Sequence, residues 1–318
     1  MIEPAISNTV ETSASSRARS SFRLFGGRPE ARCYHIGPVP VLLSSALPGV
    51  AADFHELYGT YEVQAPTGNE FEIRVIAKRS ARSLRRYYHV VANGESLFAM
   101  RNENEILPHV EWAINTMVAT RMSQYLQIHA SVVARDGRAI ICPGRPGQGK
   151  TTLAAALLTR GWSYLSDEFA LFNPQTQLLE PYPKALCIKA GSFDVLRRMR
   201  LPIDVDRVYY KGEKGRVTLL DPLKIRPNIV AGHCRLDMVI FPEVNHSSTP
   251  VIANVSRAQT VFELTRCSFN FGKFREPGFN LLADVVEQVG CYRLCCGHLG
   301  TTCDLVEAFF SRQSGQET

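Results

Sequence analysis

The sequence predicts an α/β protein in which a smaller, β-rich α+β region precedes a domain built around a glycine-rich loop. Apolar and polar residues alternate over 71–76, and Asn93-Gly94 separates two further apolar runs, so strands and a hairpin are expected early in the chain. Apolar residues then recur at three- and four-residue steps over 110–126, which is typical of a helix. Beyond it, an apolar strand leads into the loop, and a helix follows over 151–160.

Three regions are expected along the chain. Residues 1–33 are predicted to be a disordered basic leader, because serine and arginine dominate the stretch from Ser13 to Arg32. Such a tail can contact nucleic acid or an acidic partner, but a solvated leader is the simpler interpretation. An N-terminal domain is expected over 34–126, where 39–43 is predicted to be an edge strand because it contains Pro40. The domain that contains the loop is expected over 127–318.

This second domain is predicted to begin with a hairpin and to continue with strands and helices. A strand over 128–134 turns at Asp136-Gly137 into the strand that leads to the loop. The helix after the loop is expected to end at Gly161, which suits a helix C-terminus. Further predicted elements are a strand over 162–165, a strand over 236–241 stopped by Pro242, a helix capped by Ser256, and helices over 281–289 and 301–310.

The composition favours a cytoplasmic protein with no membrane span. Hydrophobic residues make up 45% of the chain, yet polar residues interrupt each apolar run. The N-terminus lacks the basic start and long apolar block of a secretory signal, so the cysteines are expected to stay reduced. No C-x-x-C unit occurs, and the cysteines near the end are interpreted as small buried apolar residues rather than metal ligands: Cys291, Cys295, Cys296 and Cys303.

The loop fits the pattern G-x-x-x-x-G-K-T. Phosphate oxygens must approach backbone N–H groups closely, and glycines leave room for that approach. The following helix directs its positive dipole end at the anion, Lys150 adds a full charge, and the Thr151 hydroxyl can hold Mg²⁺. A glycine turn without a ligand is the alternative, but the strand before it and the helix after it favour phosphate. The motif predicts binding of ATP with Mg²⁺ by Gly144, Arg145, Pro146, Gly147, Gln148, Gly149, Lys150, Thr151 and Thr152.

Two further signals flank this loop. Asp167 and Glu168 follow the strand after the loop helix, and they would lie beside the phosphates if that strand runs parallel to the loop strand. Adjacent acids there can serve as a metal ligand and a base, although a solvated turn is the other interpretation. His129 lies on the strand paired with the loop strand and could reach the site, but a lone strand histidine is more often structural.

These residues carry a resemblance to a known family. The stretches Ile128-His129-Ala130, 143–152 and 161–168 resemble the catalytic domain of HPr kinase/phosphorylase. The chain is more similar to the group called HPr-kinase-related kinase A, and the likeness covers roughly Tyr34 to Phe310. The phrases similar to that group are 110–115, 161–168, Ser268-Phe269-Asn270-Phe271 and Cys291-Tyr292.

The resemblance implies a mixed sheet like that of HPr kinase, related to phosphoenolpyruvate carboxykinase, and phosphoryl transfer from ATP to a serine-type hydroxyl. By position it implies that Asp167 is the base, whereas the expected metal ligands, Thr151 and Asp167, follow from the loop motif and the adjacent acids. It implies that Glu168 helps to hold metal or Lys150, and that His129 lies at the edge of the site. HPr kinase relatives form oligomers, so a homo-oligomer is implied as well.

The sequence also departs from HPr kinase. Glu168 stands where that family usually has aspartate, and Arg145-Pro146 and Gln148 replace small loop residues. The phosphorylase signature is absent, which puts the reverse reaction in doubt and argues against HPr as the substrate. Relatives of this group often lie beside peptide-modification genes, so a peptide or protein hydroxyl is the acceptor that the resemblance favours.

The leading functional prediction is therefore an ATP-dependent kinase acting on a serine- or threonine-type hydroxyl of a peptide or protein. An ATP-dependent recognition module without transfer and a small-molecule kinase are the alternatives. Phosphoryl transfer depends mainly on positioning and electrostatics, so additional cations are expected. Solvated lysines and arginines are the other interpretation of the candidates in the middle segment: Lys184, Lys189, Arg207, Lys211 and Arg216.

Overall fold

The structure is a computed structural model that describes residues 30–79, 85–245 and 249–314. These residues form three β-sheets and seven α-helices in a mixed α/β arrangement. Within the described ranges, no helix combines the length and apolar character needed to cross a bilayer. The predicted leader lies outside the described residues over 1–29, and the first strand begins at Ala31, slightly before the predicted start of order at Tyr34.

The first sheet contains six strands: β1 (Ala31–Ile36), β2 (Val39–Ser45), β3 (Glu62–Val63), β4 (Phe71–Arg79), β5 (Arg86–Ala92) and β6 (Glu95–Met100). Their order is β3-β1-β2-β4-β5-β6, and only β2 and β4 pair in parallel. Asn93 and Gly94 join β5 to β6 with φ angles of 46° and 89°. Positive φ at both residues is what a tight hairpin turn of this kind needs, as the sequence predicted.

Strand β2 is not an edge strand, so the prediction drawn from Pro40 was wrong. It pairs with β1 on one side and with β4 on the other. Pairing with β4 begins at Val41, the residue after the proline. The missing N–H of Pro40 therefore interrupts no hydrogen bond to β4, and the proline is tolerated inside the sheet.

Helices α1 (Pro48–Tyr58) and α2 (Ile106–Arg121) cover the inner face of this sheet. The second helix was predicted over 110–126 but ends earlier. The buried Gln127 side chain explains this, because its Nε2 donates to the carbonyls of Val118 and Met122 at 2.9 and 2.8 Å. These bonds add to those that the same carbonyls accept from the Met122 and Tyr125 amides, and they fix the helix end where the chain turns into a strand.

The remaining chain forms eleven strands: β7 (Leu126–Arg135), β8 (Arg138–Pro143), β9 (Ser163–Ser166), β10 (Phe169–Phe172), β11 (Leu178–Glu180), β12 (Leu186–Lys189), β13 (Tyr209–Tyr210), β14 (Arg216–Leu220), β15 (Cys234–Val244), β16 (Val251–Asn254) and β17 (Gly290–Cys296). The large sheet has the order β11-β10-β7-β8-β15-β17-β16, and β9 also pairs with β7. Strands β12, β14 and β13 form a separate small sheet in that order. The large sheet is mixed, because β8, β15 and β17 are parallel to one another whereas β7 is antiparallel to β8.

Strand β15 continues through Pro242 to Val244, so the prediction that the proline stops it was wrong. Pairing between β15 and β8 ends at Val239. Pro242 lies beyond that point and retains a neighbour only in β17, opposite Leu294. One side of β15 is thus an edge at the proline, where a missing donor is tolerated.

Five helices accompany these strands: α3 (Lys150–Leu158), α4 (Phe193–Arg198), α5 (Arg257–Cys267), α6 (Phe271–Glu287) and α7 (Leu299–Ser314). The Ser256 hydroxyl accepts a hydrogen bond from the Gln259 amide at 3.2 Å, which confirms the predicted cap of α5. Helix α6 is kinked at Arg275, two residues before Pro277, and its second half contains most of the helix predicted over 281–289.

The apolar core of the first sheet extends into the later chain. Tyr34 and Ile114 belong to the same buried cluster as Phe169 and Tyr182. The division into domains at 126/127 therefore remains a proposal about chain segments, because buried side chains from both segments pack together.

A buried ion pair joins the same two segments. The Lys184 ammonium lies 2.7 Å from the Glu111 carboxylate, and both side chains are almost fully buried. The Tyr58 hydroxyl donates to Glu111 and accepts from the amide of Ala185 at 2.9 Å. Helices α1 and α2 are thus connected to the segment that leads into β12.

We expect Lys184→Met to lower the free energy of unfolding by about 3–5 kcal/mol, since Glu111 then stays buried without its cation. The double variant Glu111→Gln/Lys184→Met should recover part of this loss, because neither charge remains buried. Urea unfolding followed by circular dichroism measures both. A double variant whose free energy of unfolding falls by as much as the sum of the losses in Lys184→Met and Glu111→Gln would contradict this account.

Candidate functional site

The glycine-rich loop joins β8 to α3 and has the backbone that its glycines permit. Gly147 and Gly149 have φ angles of 94° and 86°, a region that other residues rarely adopt. A Cβ at Gly149 would also come within 2.7 Å of a methyl group of Val244, which would then have to move. Helix α3 starts directly after the loop, at Lys150, so the N-terminus of the helix faces the loop.

The Lys150 side chain is buried beneath this loop. Its ammonium donates to the carbonyls of Gly144 and Arg145 at 2.7 and 3.0 Å. Burial lowers the pKa of Lys150, although the carboxylates of Asp167 and Glu168 oppose that shift. The cation is thus held between the loop and the acid pair.

Asp167 and Glu168 lie between β9 and β10, which share one edge of β7. Both strands are antiparallel to β7, and β7 is antiparallel to β8, so β9 runs in the same direction as the loop strand. The prediction that the two acids lie beside the loop required this parallel direction of β9 and β8. The Ser131 hydroxyl on β7 donates to the Asp167 carboxylate at 2.7 Å, which fixes that side chain beside the loop.

The two adjacent carboxylates have opposite pKa shifts. Burial raises the pKa of Asp167 to about 6, although the hydrogen bond from Ser131 opposes the rise. Burial also disfavours the charged form of Glu168, but Lys214 and Lys211 outweigh it and hold the pKa of Glu168 well below its usual range. At neutral pH Glu168 stays charged, whereas Asp167 can exchange a proton.

His129 on β7 lies at the edge of this group. Its Nε2 is 3.7 Å from a Glu168 oxygen, and its ring packs 5.4 Å from the ring of Phe269. Burial lowers the pKa of His129 to about 4, despite the nearby carboxylate. The ring is therefore neutral at neutral pH, and its contact with Glu168 is not an ion pair.

A cavity of about 590 Å³ brings most of the predicted site residues together. Its volume lies within the range of roughly 300–1,000 Å³ that is usual for small-molecule sites. Gly144, Arg145 and Gln148 instead line an adjoining pocket of about 190 Å³. The predicted residues that line the larger cavity are His129, Pro146, Gly147, Gly149, Lys150, Thr151, Thr152, Asp167 and Glu168.

The middle-segment cations divide into two groups. Lys189 lines the cavity, and Lys211 is buried close enough to act on Glu168. Lys184 is paired with Glu111, and its charge also lowers the pKa of both Asp167 and Glu168. Two candidates point elsewhere: Arg207 pairs with Asp53 and Glu56, and Arg216 is exposed on β14.

Two cavity cations were missed from the sequence. Lys214 lies in the turn between β13 and β14, and Arg198 ends α4. A signal for Lys214 was present, because Gly212 and Gly215 flank it and indicate a tight turn. Arg198 follows another arginine in a short helix, and nothing local separates it from a solvated residue.

The donor set fits a nucleotide with Mg²⁺. The loop supplies backbone N–H groups and Lys150 supplies a cation, both suited to phosphate. The Thr151 hydroxyl lies close enough to the Asp167 carboxylate to lower its pKa, so two oxygen ligands of the kind that Mg²⁺ prefers lie together. Thr151 and Asp167 are accordingly the residues that could hold the metal ion.

Comparisons with known proteins assign neither a family nor an activity to the chain. No protein-family model matches the chain, and no curated protein matches it. Among solved structures, it is similar to the Hpr(Ser) kinase/phosphatase from Coxiella burnetii, with a TM-score of 0.31 and 10% sequence identity. The match covers 60% of this chain and 99% of the other. A likeness at this level is too weak to assign a site or an activity.

The opposite pKa shifts predict opposite effects on stability. A folded-state pKa raised from 3.8 to about 6 means that stability falls as pH rises through this interval. Asp167→Asn should therefore raise the free energy of unfolding at pH 7, by on the order of 2–3 kcal/mol, and the gain should disappear near pH 4. Urea unfolding at the two pH values measures this.

Glu168→Gln is the matched control, because a depressed pKa means that the charge stabilises the fold at pH 7. This variant should be less stable than the parent. Asp167→Asn and Glu168→Gln proteins that change in the same direction at pH 7 would contradict the assigned shifts.

Proposed function

We propose that the chain is an ATP-dependent kinase that transfers the γ-phosphoryl group to a serine- or threonine-type hydroxyl of a peptide or protein. One observation carries the proposal. A buried carboxylate with a pKa of about 6, Asp167, shares a cavity with a lysine-containing glycine loop. A base with a pKa near neutral, beside a phosphate-binding loop, suits transfer to a hydroxyl.

Each residue has a role in this proposal. The amides of the glycine loop and the Lys150 ammonium bind and orient the phosphates. Mg²⁺, when bound, supplies further positive charge at the phosphates, with Thr151 and Asp167 as its protein ligands. The Ser131 hydroxyl donates to Oδ1 of Asp167 and keeps the carboxylate in place. The other carboxylate oxygen, Oδ2, accepts the proton of the acceptor hydroxyl.

Glu168 has a different role from its neighbour. Its carboxylate stays charged at neutral pH because Lys214 and Lys211 act on it. A charged Glu168 holds Lys214 at the cavity, where its charge complements phosphate. His129 is neutral, packs on Phe269 and lines the edge of the site. In this proposal Asp167, and not His129, accepts the proton.

The first test is incubation of the protein with γ-labelled ATP, Mg²⁺ and candidate hydroxyl-bearing peptides. Wild-type protein should label a serine or threonine. Asp167→Asn should lower the rate by roughly 10²–10⁴-fold while ATP still binds, since loss of a general base has effects of this size. Lys150→Ala should weaken ATP binding itself.

Asp304→Asn serves as the control, because this exposed carboxylate pairs with Arg160 away from the loop, and its rate should not change. ATP binding without labelled peptide would support the recognition-module alternative. A labelled metabolite would support the small-molecule kinase. An Asp167→Asn protein with the parent rate would exclude Asp167 as the base.

The pH profile gives a second test. The base must be ionised, so kcat/KM should fall at acidic pH, and Mg²⁺ held by Asp167 would move this fall below the pKa of about 6 that the carboxylate has without the metal. Ser131→Ala removes a hydrogen bond that stabilises the Asp167 carboxylate, so its profile should move to higher pH. Initial rates between pH 5 and 8 measure both. A profile that Ser131→Ala leaves unmoved would contradict the assignment.

A further inference from the structure

A second group of metal-binding side chains lies in the first sheet, away from the nucleotide cavity. Cys33 and His35 alternate along β1 and therefore project from the same face of the sheet. Glu70 immediately precedes β4. One ligand atom from each of the three side chains lies within 4.8 Å of the other two.

Chain topology explains why Glu70 reaches two residues of β1. In the sheet order, β3 lies on one side of β1, whereas β4 lies beyond β2 on the other. The segment 64–70 connects β3 to β4 and so passes over the face that carries Cys33 and His35. Cys33 is consequently buried, although its side of the sheet is otherwise partly exposed.

The polar atoms of this group are not all satisfied by the protein. The His35 Nε2 is buried and has no hydrogen-bond partner among the described residues. The Cys33 thiol lies beside the Glu70 carboxylate, with their ligand atoms no more than 4.8 Å apart. An unpaired imidazole nitrogen beside a thiol and a carboxylate is a costly arrangement for the protein alone.

The Glu70 carboxylate is held in position by its own turn. Thr67 donates to it from both its amide and its hydroxyl, and the Gly68 amide donates at 2.9 Å. These bonds place two donors on one oxygen and one donor on the other. The second oxygen retains a lone pair, in a fixed place, for a further partner.

We propose that Cys33, His35 and Glu70 bind a Zn²⁺ ion, separate from the nucleotide site. Sulfur, imidazole and carboxylate ligands together suit Zn²⁺ and not the all-oxygen preference of Mg²⁺ or Ca²⁺. Binding replaces the thiol proton, which is released to solvent, and a water molecule completes four-coordination. The ion ties β1 to the segment that crosses it.

The test is a titration of the chelator-treated full-length protein with Zn²⁺ in competition with a chromophoric chelator. Wild-type protein should show a tight site, and Co²⁺ in its place should give a thiolate-to-metal absorption band. Cys33→Ser, His35→Ala and Glu70→Gln should each weaken Zn²⁺ binding by roughly 100-fold or more, since even indirect ligand partners are worth 10–100-fold. The Co²⁺ thiolate band should disappear in Cys33→Ser.

His89→Ala and Glu72→Gln are matched controls, because both residues belong to the same sheet and neither belongs to the group. They should bind Zn²⁺ like the parent. His35→Ala and Glu70→Gln change partly exposed positions, so they remain informative if Cys33→Ser does not fold. Equal affinity in these variants, or no tight Zn²⁺ site in the parent, would overturn the proposal.

Discussion

Strand β7 is hydrogen-bonded along both edges, and the candidate site depends on this placement. On one edge β8 leads into the glycine loop, and on the other β9 and β10 leave Asp167 and Glu168 between them. A single strand thus separates loop and acids, which sets the outer strands roughly 10 Å apart. His129 and Ser131 alternate along β7 and project from the same face, each toward one of the two acids.

This placement also gives the two acids different surroundings. Asp167 faces the hydroxyl of Ser131 in a buried position, whereas Glu168 faces Lys214 and Lys211. A hydroxyl does not fully replace the water that a buried carboxylate loses, so the pKa of Asp167 rises. Two nearby cations more than replace it, so the pKa of Glu168 falls. Divergent pKa values in adjacent acids are a recurrent way to divide proton transfer from charge positioning. The small sheet causes this difference between the two acids, because the turn between β13 and β14 carries both lysines.

The features that the sequence predicted well are those set by local chemistry. The turn at Asn93-Gly94, the helix cap at Ser256 and the glycine loop each depend on a few neighbouring residues. The errors concern partners that are distant in sequence. Pro40 and Pro242 are tolerated because of where neighbouring strands begin or end, and the cavity position of Lys214 requires the folding of the small sheet. No periodicity in the local sequence contains that information.

The ion pair between Glu111 and Lys184 relates the first sheet to the site. Glu111 belongs to α2, and the charge of its partner lowers the pKa of both Asp167 and Glu168. A buried lysine stays charged only if a carboxylate accompanies it, and here burial is outweighed by Glu111, so the pKa of Lys184 is raised. The helix on the first sheet therefore maintains a positive charge that acts on the acid pair. Helix α2, which precedes the glycine loop in sequence, therefore affects the charges of the site. The packing of this helix and the ionisation of Asp167 are coupled.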